Sequence, residues 1–169
     1  WADEYHIDGF RFDLVGLIDI QTINELVAEV HKTHPSVVFY GEGWDMATGV
    51  TKPDVIMATK ANAHLTPGFG YFSDDIRDML KGSVFINDDT GYVSGKAHLE
   101  PLAQACFMAD LPWCADPAQT INYASCHDNM SLWDRLAMSC PKASFADRVR
   151  MNNLAAAFYL TAQGVPFLQ

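Results

Sequence analysis

The sequence predicts an α/β fold built on parallel strands, and three observations carry that expectation. The run His6 to Asp19, HIDGFRFDLVGLID, and the run Ser36 to Trp44, SVVFYGEGW, both read as strands meant for burial. A stretch with helical period lies between them, and strand, helix, strand in succession makes a parallel unit. Further on, the strand-like QTINYASCHDN and a long amphipathic stretch ending in VPFLQ repeat the same alternation.

In the first run Ile7, Phe10, Phe12, Leu14, Val15 and Leu17 offer enough apolar area for deep burial. The charges in the same run, Arg11 and Asp13, must therefore be paired or used in chemistry. From Asp19 the period changes: Ile20, Ile23, Leu26, Val27 and Val30 recur at three and four, TINE at Thr22 to Glu25 reads as a capping box, and Pro35 ends the helix. The β-branched and aromatic run that follows is closed by glycines, which puts Glu42 at its C-terminal end.

Between Asp45 and Pro67 periodicity fades into scattered Gly, Pro, Thr and Lys, so a long loop with only short structure inside it is expected. Ser73 to Gly82, SDDIRDMLKG, has a cap candidate in Ser73, acids in its first turn, and Lys81 with Gly82 at its end, the signature of a short helix. Phe85 to Pro117 is weakly periodic apart from EPLAQACFMA, which reads as helical. Gln119 to Asn129 is strand-like through Tyr123 and Ser125 and ends in polar residues. Phe145, Val149, Leu154, Ala155, Phe158 and Ala162 fall on one helical face, Gly164 and Pro166 stop that helix, and VPFLQ starts another strand.

With 169 residues, 49% of them hydrophobic, the chain can form one sizeable core. Its net charge of -10, from 11 basic against 21 acidic residues, disfavours nucleic acid as a partner. No apolar run approaches the ~18 to 20 residues of a membrane span, and WADEYHIDG has neither the basic start nor the apolar core of a signal peptide, so no membrane partner is expected. The opening without Met and the stop inside VPFLQ suggest an internal piece of a longer chain. Cys106, Cys114, Cys126 and Cys140 are irregularly spaced with no Cys-x-x-Cys pair, which argues against zinc and for buried free thiols rather than disulfides.

Three expected parallel strands thus end in Asp13, Glu42 and Asp128. In parallel barrels the C-terminal strand ends form one face, where active sites assemble, so three carboxylates far apart in sequence could converge there. Such convergence costs electrostatic energy, and chemistry can justify the cost. Glycoside hydrolysis needs a carboxylate pair, one group ionised to attack the anomeric carbon and one protonated to donate to the leaving oxygen; a retaining pair sits about 5 to 5.5 Å apart. Arg11, two residues from Asp13 on the same strand face, is placed to orient it.

Each part also has a plain structural reading. A lone Asp at a strand end is commonly a helix cap, Arg11 with Asp13 could be a structural ion pair, Glu42 between two glycines could mark a turn, and His127 could be an ordinary turn histidine. Cys126 and His127 form no catalytic dyad, because adjacent strand residues point to opposite faces. Their joint occurrence at strand ends, in order, favours chemistry.

DGFRFD, GEGW and SCHDN resemble three signature segments of the α-amylase superfamily, glycoside hydrolase family 13. Within it, YHIDGFRFDLVGLID, YGEGWD, FSDDIRDMLKGSVF and INYASCHDNMSLWDRL are similar to the type I pullulanase branch, which cleaves α-1,6-glucosidic bonds. The resemblance covers nearly the whole chain. It implies a partial (β/α)8 TIM barrel, one incomplete catalytic domain over 1–169 running from about the fourth strand to the start of the eighth. Residue by residue it implies Asp13 as nucleophile, Glu42 as general acid/base and Asp128 as the third carboxylate, with Arg11 and His127 positioning the nucleophile and contacting sugar, and Trp44 stacking on substrate.

The resemblance further implies an α-glucan substrate, no required cofactor and a bacterial setting; the compartment stays open between cytoplasmic and secreted, with the cytoplasm favoured. Calcium is possible in relatives, but no oxygen-rich loop here supports a site, so no metal ligand is assigned. Tyr40 reads as core, and Tyr123, Asn129 and Trp133 as wall residues. The family's first signature segment has no counterpart, and Ser73 and Asp75 stand where the pullulanase pattern commonly has Asn and Arg. An isoamylase or glycogen-debranching relative would keep the three carboxylates and differ in the loops beside Trp44 and Asp128. A carbohydrate-binding member without catalysis would lose them.

Overall fold

Strand β1 (Gly9–Phe12), preceded by the short helix α1 (Ala2–Tyr5), runs parallel to β2 (Val38–Gly41), with Arg11 opposite Tyr40 and Phe12 opposite Gly41. The computed structural model describes residues 1–46 and 54–169, so 47–53 of the expected long loop lie outside the described residues. The chain divides into two compact units, Trp1–Phe72 with Pro112–Thr120 and Ser73–Leu111 with Ile121–Gln169.

In the first unit helix α2 (Ile20–His31) links β1 to β2, which is the anticipated parallel arrangement of strand, helix and strand. Its cap is not the expected capping box. Asp19 accepts from the Thr22 N–H and the Thr22 hydroxyl, both at 2.8 Å, so Thr22 lies inside the first turn. An aspartate at the cap outcompetes the later Thr because it satisfies an orphan N–H and lies at the positive end of the helix dipole. Ile23 and Val27 point into a core shared with Val15, Val37, Phe39, Phe69 and Tyr71.

The first strand is shorter and shallower than expected. Its four residues are only half-buried, Leu17 is exposed, and of the six apolar residues in the run Val15 alone is fully buried, in a 3-10 turn, Val15–Leu17. Among the described residues of this unit β1 has a strand neighbour on one side only, so less of it is covered.

A third strand, β3 (Phe69–Phe72), pairs in parallel with β2 and is buried throughout; it falls in a stretch that propensity alone left unassigned. FGYF has strand-favouring aromatics but is only four residues long and is interrupted by a glycine, so it shows no clear period; packing against Phe39 and the Tyr71–Thr66 hydroxyl contact of 2.6 Å hold it in place. Before it, a 3-10 segment, Lys60–Leu65, is the short structure expected inside the loop. The buried Gln119 amide donates to the carbonyls of Ala63, Thr66 and Phe69 at 2.8, 3.1 and 3.3 Å, tying the 3-10 segment to the start of β3.

The second unit opens with α3 (Asp74–Lys81). Ser73 accepts from the Ile76 N–H at 3.3 Å, and Gly82 closes the helix at a φ of 84°, as its sequence indicates. Helix α4 (Glu100–Phe107) lies within the stretch read as helical. Strand β4 (Thr120–Asn122) stops before Tyr123, so the expected strand through Ser125 is half that long; beyond Asn122 side chains take over the backbone's partners, with Ser125 Oγ accepting from the Leu132 N–H at 2.8 Å.

Helix α5 (Leu132–Ser139), capped by Ser131, was not anticipated from SLWDRL. Its Arg135 is buried and donates to the carbonyls of Ser83, Ile86 and Asp89, clamping a loop. Helix α6 (Phe145–Thr161) starts from a Ser144 cap, and β5 (Val165–Pro166) pairs in parallel with Ile121 and Asn122. The buried stripe of α6 differs from the expected face: Ala155 and Tyr159 are covered, whereas Phe145 and Leu154 are exposed. Phe145 sits at the first turn, where its ring packs on Trp133 instead of entering the core.

All four cysteines are free thiols, but only Cys106 is buried; Cys114, Cys126 and Cys140 lie in irregular segments or at a helix end and are partly exposed. Among the described residues no helix is long and apolar enough to cross a membrane.

Candidate active site

The C-terminal end of β1 delivers Arg11 and Asp13, and the C-terminal end of β2 delivers Glu42. Arg11 Nη1 donates to Asp13 Oδ1 at 2.5 Å and Nη2 to Glu42 Oε1 at 2.7 Å, so one guanidinium holds both carboxylates. The question posed by charges in an apolar run is thereby answered. One carboxylate oxygen of Asp13 lies within 4.8 Å of one of Glu42. Without the shared cation, two negative groups that close would repel strongly.

The two acids differ in environment. The Glu42 side chain is 5% exposed and that of Asp13 is 64% exposed, so one is enclosed and the other open to a ligand. The second Glu42 oxygen accepts from the Leu14 N–H at 3.0 Å. Leu14 has a φ of 46°, a left-handed conformation unusual for a leucine, directly after Asp13. The Glu42 carboxylate and the Gly16 N–H to Glu42 carbonyl bond of 3.1 Å hold that turn in place. Phe72 on β3 lies under the guanidinium, 5.6 Å from ring centroid to Arg11 Cζ.

The glycines around Glu42 serve close approach, not a turn. A Cβ on Gly41 would fall 2.5 Å from the Phe12 carbonyl oxygen, and one on Gly43 would fall 2.5 Å from the Tyr71 ring. Glu42 is thus threaded between β1 and β3 where no side chain fits. Trp44 follows, partly buried, its carbonyl packed against Gly16. Tyr40 is half-buried, edge-on to Phe72, as a core residue near the rim.

His127 and Asp128 belong to the second unit, in the irregular segment after β4. His127 Nε2 lies 3.4 Å from Asp128 Oδ2, both side chains about half exposed. The Cys126 thiol donates to the Asp128 carbonyl at 3.7 Å, consistent with its exclusion from a dyad with His127. Asn129 has a left-handed φ of 60° and is exposed. Tyr123, expected as a wall residue, is a core residue instead: it is 1% exposed and its hydroxyl accepts from Arg77 Nη1 at 3.1 Å. Burial pushes the Tyr123 phenol up from its ordinary value. Trp133 stacks edge-on with Phe145 and beneath Arg148 on the helices.

Sequence reasoning missed the buried cations of α3. Burial opposes the Arg77 charge, but bonds to Asp78 and Tyr123 outweigh it and raise its pKa. For Lys81, burial and then the neighbouring Arg77 bring the amine down to about 8. A lysine in a last turn reads as a solvated partner of the helix dipole, and only its spacing of four from Arg77, beside the buried Ile76 and Leu80, hints otherwise.

Parallel strands ending in carboxylates that share an arginine make an α/β arrangement of the class in which barrel enzymes assemble their sites. Similarity to known proteins points to a particular group within that class. The chain is 37% identical to the pullulanase of Bacillus subtilis strain 168, a match covering 99% of this chain and 24% of that protein. It is 41% identical to a pullulanase variant of Paenibacillus barengoltzii solved with maltotetraose, with a TM-score of 0.94 over 99% of this chain and 27% of the other. A pullulanase of Anoxybacillus sp. LM18-11 solved with maltotriose is 38% identical with a TM-score of 0.95, covering 100% of this chain and 24% of that one. The chain thus spans about a quarter of the length of the Bacillus subtilis relative. No protein-family model matches it.

Proposed function

We propose that the chain is part of the catalytic barrel of a type I pullulanase of glycoside hydrolase family 13, from about the fourth to the eighth strand, which hydrolyses α-1,6 bonds of α-glucans with retention. The observation that carries the reading is Arg11 held between Asp13 and Glu42 at adjacent strand ends. Their carboxylate oxygens, within 4.8 Å, have the closeness of a retaining pair, not the wider gap that leaves room for an attacking water.

In this reading the reacting form carries one proton between the two acids: Asp13, ionised and exposed, attacks the anomeric carbon, and Glu42, in its protonated form, gives that proton to the departing glycosidic oxygen. Glu42 then takes a proton from water as the glycosyl ester on Asp13 is hydrolysed, which returns both groups to their starting states. Arg11 keeps Asp13 ionised and aimed. Asp128 and His127 bind sugar hydroxyls, Trp44 offers a stacking face, and no cofactor takes part. The solved relatives with maltotetraose and maltotriose support an α-glucan as the ligand class.

The test is made in the complete protein that carries the chain. Asp13→Asn and Glu42→Gln should each lower kcat on pullulan by at least about a thousandfold while maltooligosaccharide binding stays within severalfold of the parent, because both groups act on the transition state. Near-normal turnover in either variant would overturn the assignment.

A further inference from the structure

Helix α3 sends two buried cations beneath the segment that carries His127 and Asp128. Arg77 and Lys81, one helical turn apart, are 8% and 3% exposed. Arg77 donates to the Tyr123 hydroxyl at 3.1 Å and Lys81 Nζ donates to the Met130 carbonyl at 3.1 Å, so the helix grips the segment on both sides of Asp128.

The chain between those two grips has no regular structure and includes the left-handed Asn129, with a φ of 60°. Asparagine adopts this conformation more readily than most residues, and here it bends the chain directly after Asp128. The Met130 carbonyl, directly after Asn129, is the acceptor that Lys81 holds. A lysine at a helix end ordinarily extends into water, and turning one inward is costly unless the contact it makes is needed. A pocket of 220 Å³ lined by Lys81, Val84, Asn87, Asn129, Met130 and Arg135 lies beside it, room enough for a somewhat larger cation.

We propose that Lys81, with Arg77 as its partner on α3, is a positioning residue that fixes the segment bearing Asp128 by clamping the Met130 carbonyl. The inference rests on the reading of Asp128 as the third carboxylate of the site. Lys81 touches no substrate; it acts through the backbone beside Asp128.

The experiment compares Lys81→Met and Lys81→Arg with the parent in the complete protein, reading pullulan kinetics and hydrogen exchange of residues 124–131. Lys81→Met, similar in length but without a donor, should raise exchange of that segment at least tenfold, lower kcat at least tenfold and change KM less than threefold. Lys81→Arg, which restores a cationic donor, should bring both kcat and exchange back to within about threefold of the parent. Parent-like exchange and kcat in Lys81→Met would overturn the proposal, as would a Lys81→Arg protein that melts like the parent yet remains as impaired as Lys81→Met. Should Lys81→Met not fold, Lys81→Gln, one atom too short for the Met130 oxygen, is read the same way. If the parent hydrolyses no α-glucan, the functional reading fails, and segment exchange alone decides whether the clamp exists.

Discussion

Arg11 and Glu42, 31 residues apart in sequence, meet at 2.7 Å across the ends of two parallel strands, and the other oxygen of Glu42 is taken by the Leu14 N–H. An enclosed carboxylate with both oxygens engaged is a structural fixture as well as a chemical one. The first prediction follows from that double role.

Arg11→Ala leaves Glu42 enclosed without its cation and removes the group that aims Asp13. Because Arg11 itself keeps some solvent contact, the cost should fall at or below the lower end for breaking a buried pair, about 2 to 3 kcal/mol. Urea unfolding at neutral pH measures it. Turnover should fall by at least a hundredfold as well, and Arg11→Lys should recover little of it, since the single nitrogen of an ammonium cannot replace two nitrogens held in one plane, each on a different carboxylate. Full activity in Arg11→Lys would mean that charge alone matters.

Gly41→Ala tests the threading of Glu42. The added methyl would lie 2.5 Å from the Phe12 carbonyl oxygen, and backbone must shift to admit it. Overpacking of this kind costs about 1 to 3 kcal/mol. Loss of turnover beyond the loss of stability is expected, because β2 carries Glu42. A parent-like melting temperature and activity would show that the strands are not that tightly apposed.

Lys81 links stability to pH. Its amine is brought from a reference value of 10.5 to about 8 in the folded chain, so between those values the unfolded chain binds more protons and stability rises with pH. The penalty is fully present below about pH 8 and relieved by about pH 10.5, on the order of 3 kcal/mol. Urea unfolding at pH 7.5 and pH 10 checks the sign: the parent should gain on Lys81→Met as the pH rises. An unchanged difference would show that the buried amine keeps its ordinary proton affinity.

The parallel unit from β1 through α2 to β2 was legible because apolar period and β-branched runs agree there. Ser73 and Gly82 marked α3 for the same reason, with local chemistry and tertiary packing pointing one way. Glu42 stood out through its two glycines, although their purpose, close approach to Phe12 and Tyr71, needed coordinates. The missed strand β3 is four residues long, buried on both faces and so without alternation, and its pairing depends on neighbours remote in sequence. Asp19 displaced the expected cap because two cap candidates lay three residues apart, and only the geometry of the first turn decides between them. On α6, Ala155 is buried as expected, but Tyr159 is covered while Phe145 and Leu154 are exposed, since helix packing selects shape, not hydrophobicity alone. Lys81 and Arg77 could not be read as inward-facing from a pattern that normally signals a solvated helix end.

The 169-residue chain produced alone should be inactive and poorly cooperative, because a barrel of this type needs about 250 residues to close. Thermal unfolding and a pullulan assay check it together. A sharp transition accompanied by turnover would make the chain a complete domain.

In the proposed mechanism Asp13 forms a covalent bond to the sugar while Glu42 handles the proton. The most direct measurement is to incubate the complete protein with a 5-fluoro-α-glycosyl fluoride, which slows release of the intermediate, and to locate the adduct by peptide mass spectrometry. Labelling of Asp13, with the α-anomer as the first-formed product of pullulan cleavage, is the expected result. A label on Glu42 or Asp128, or a first-formed β-anomer, would contradict the account.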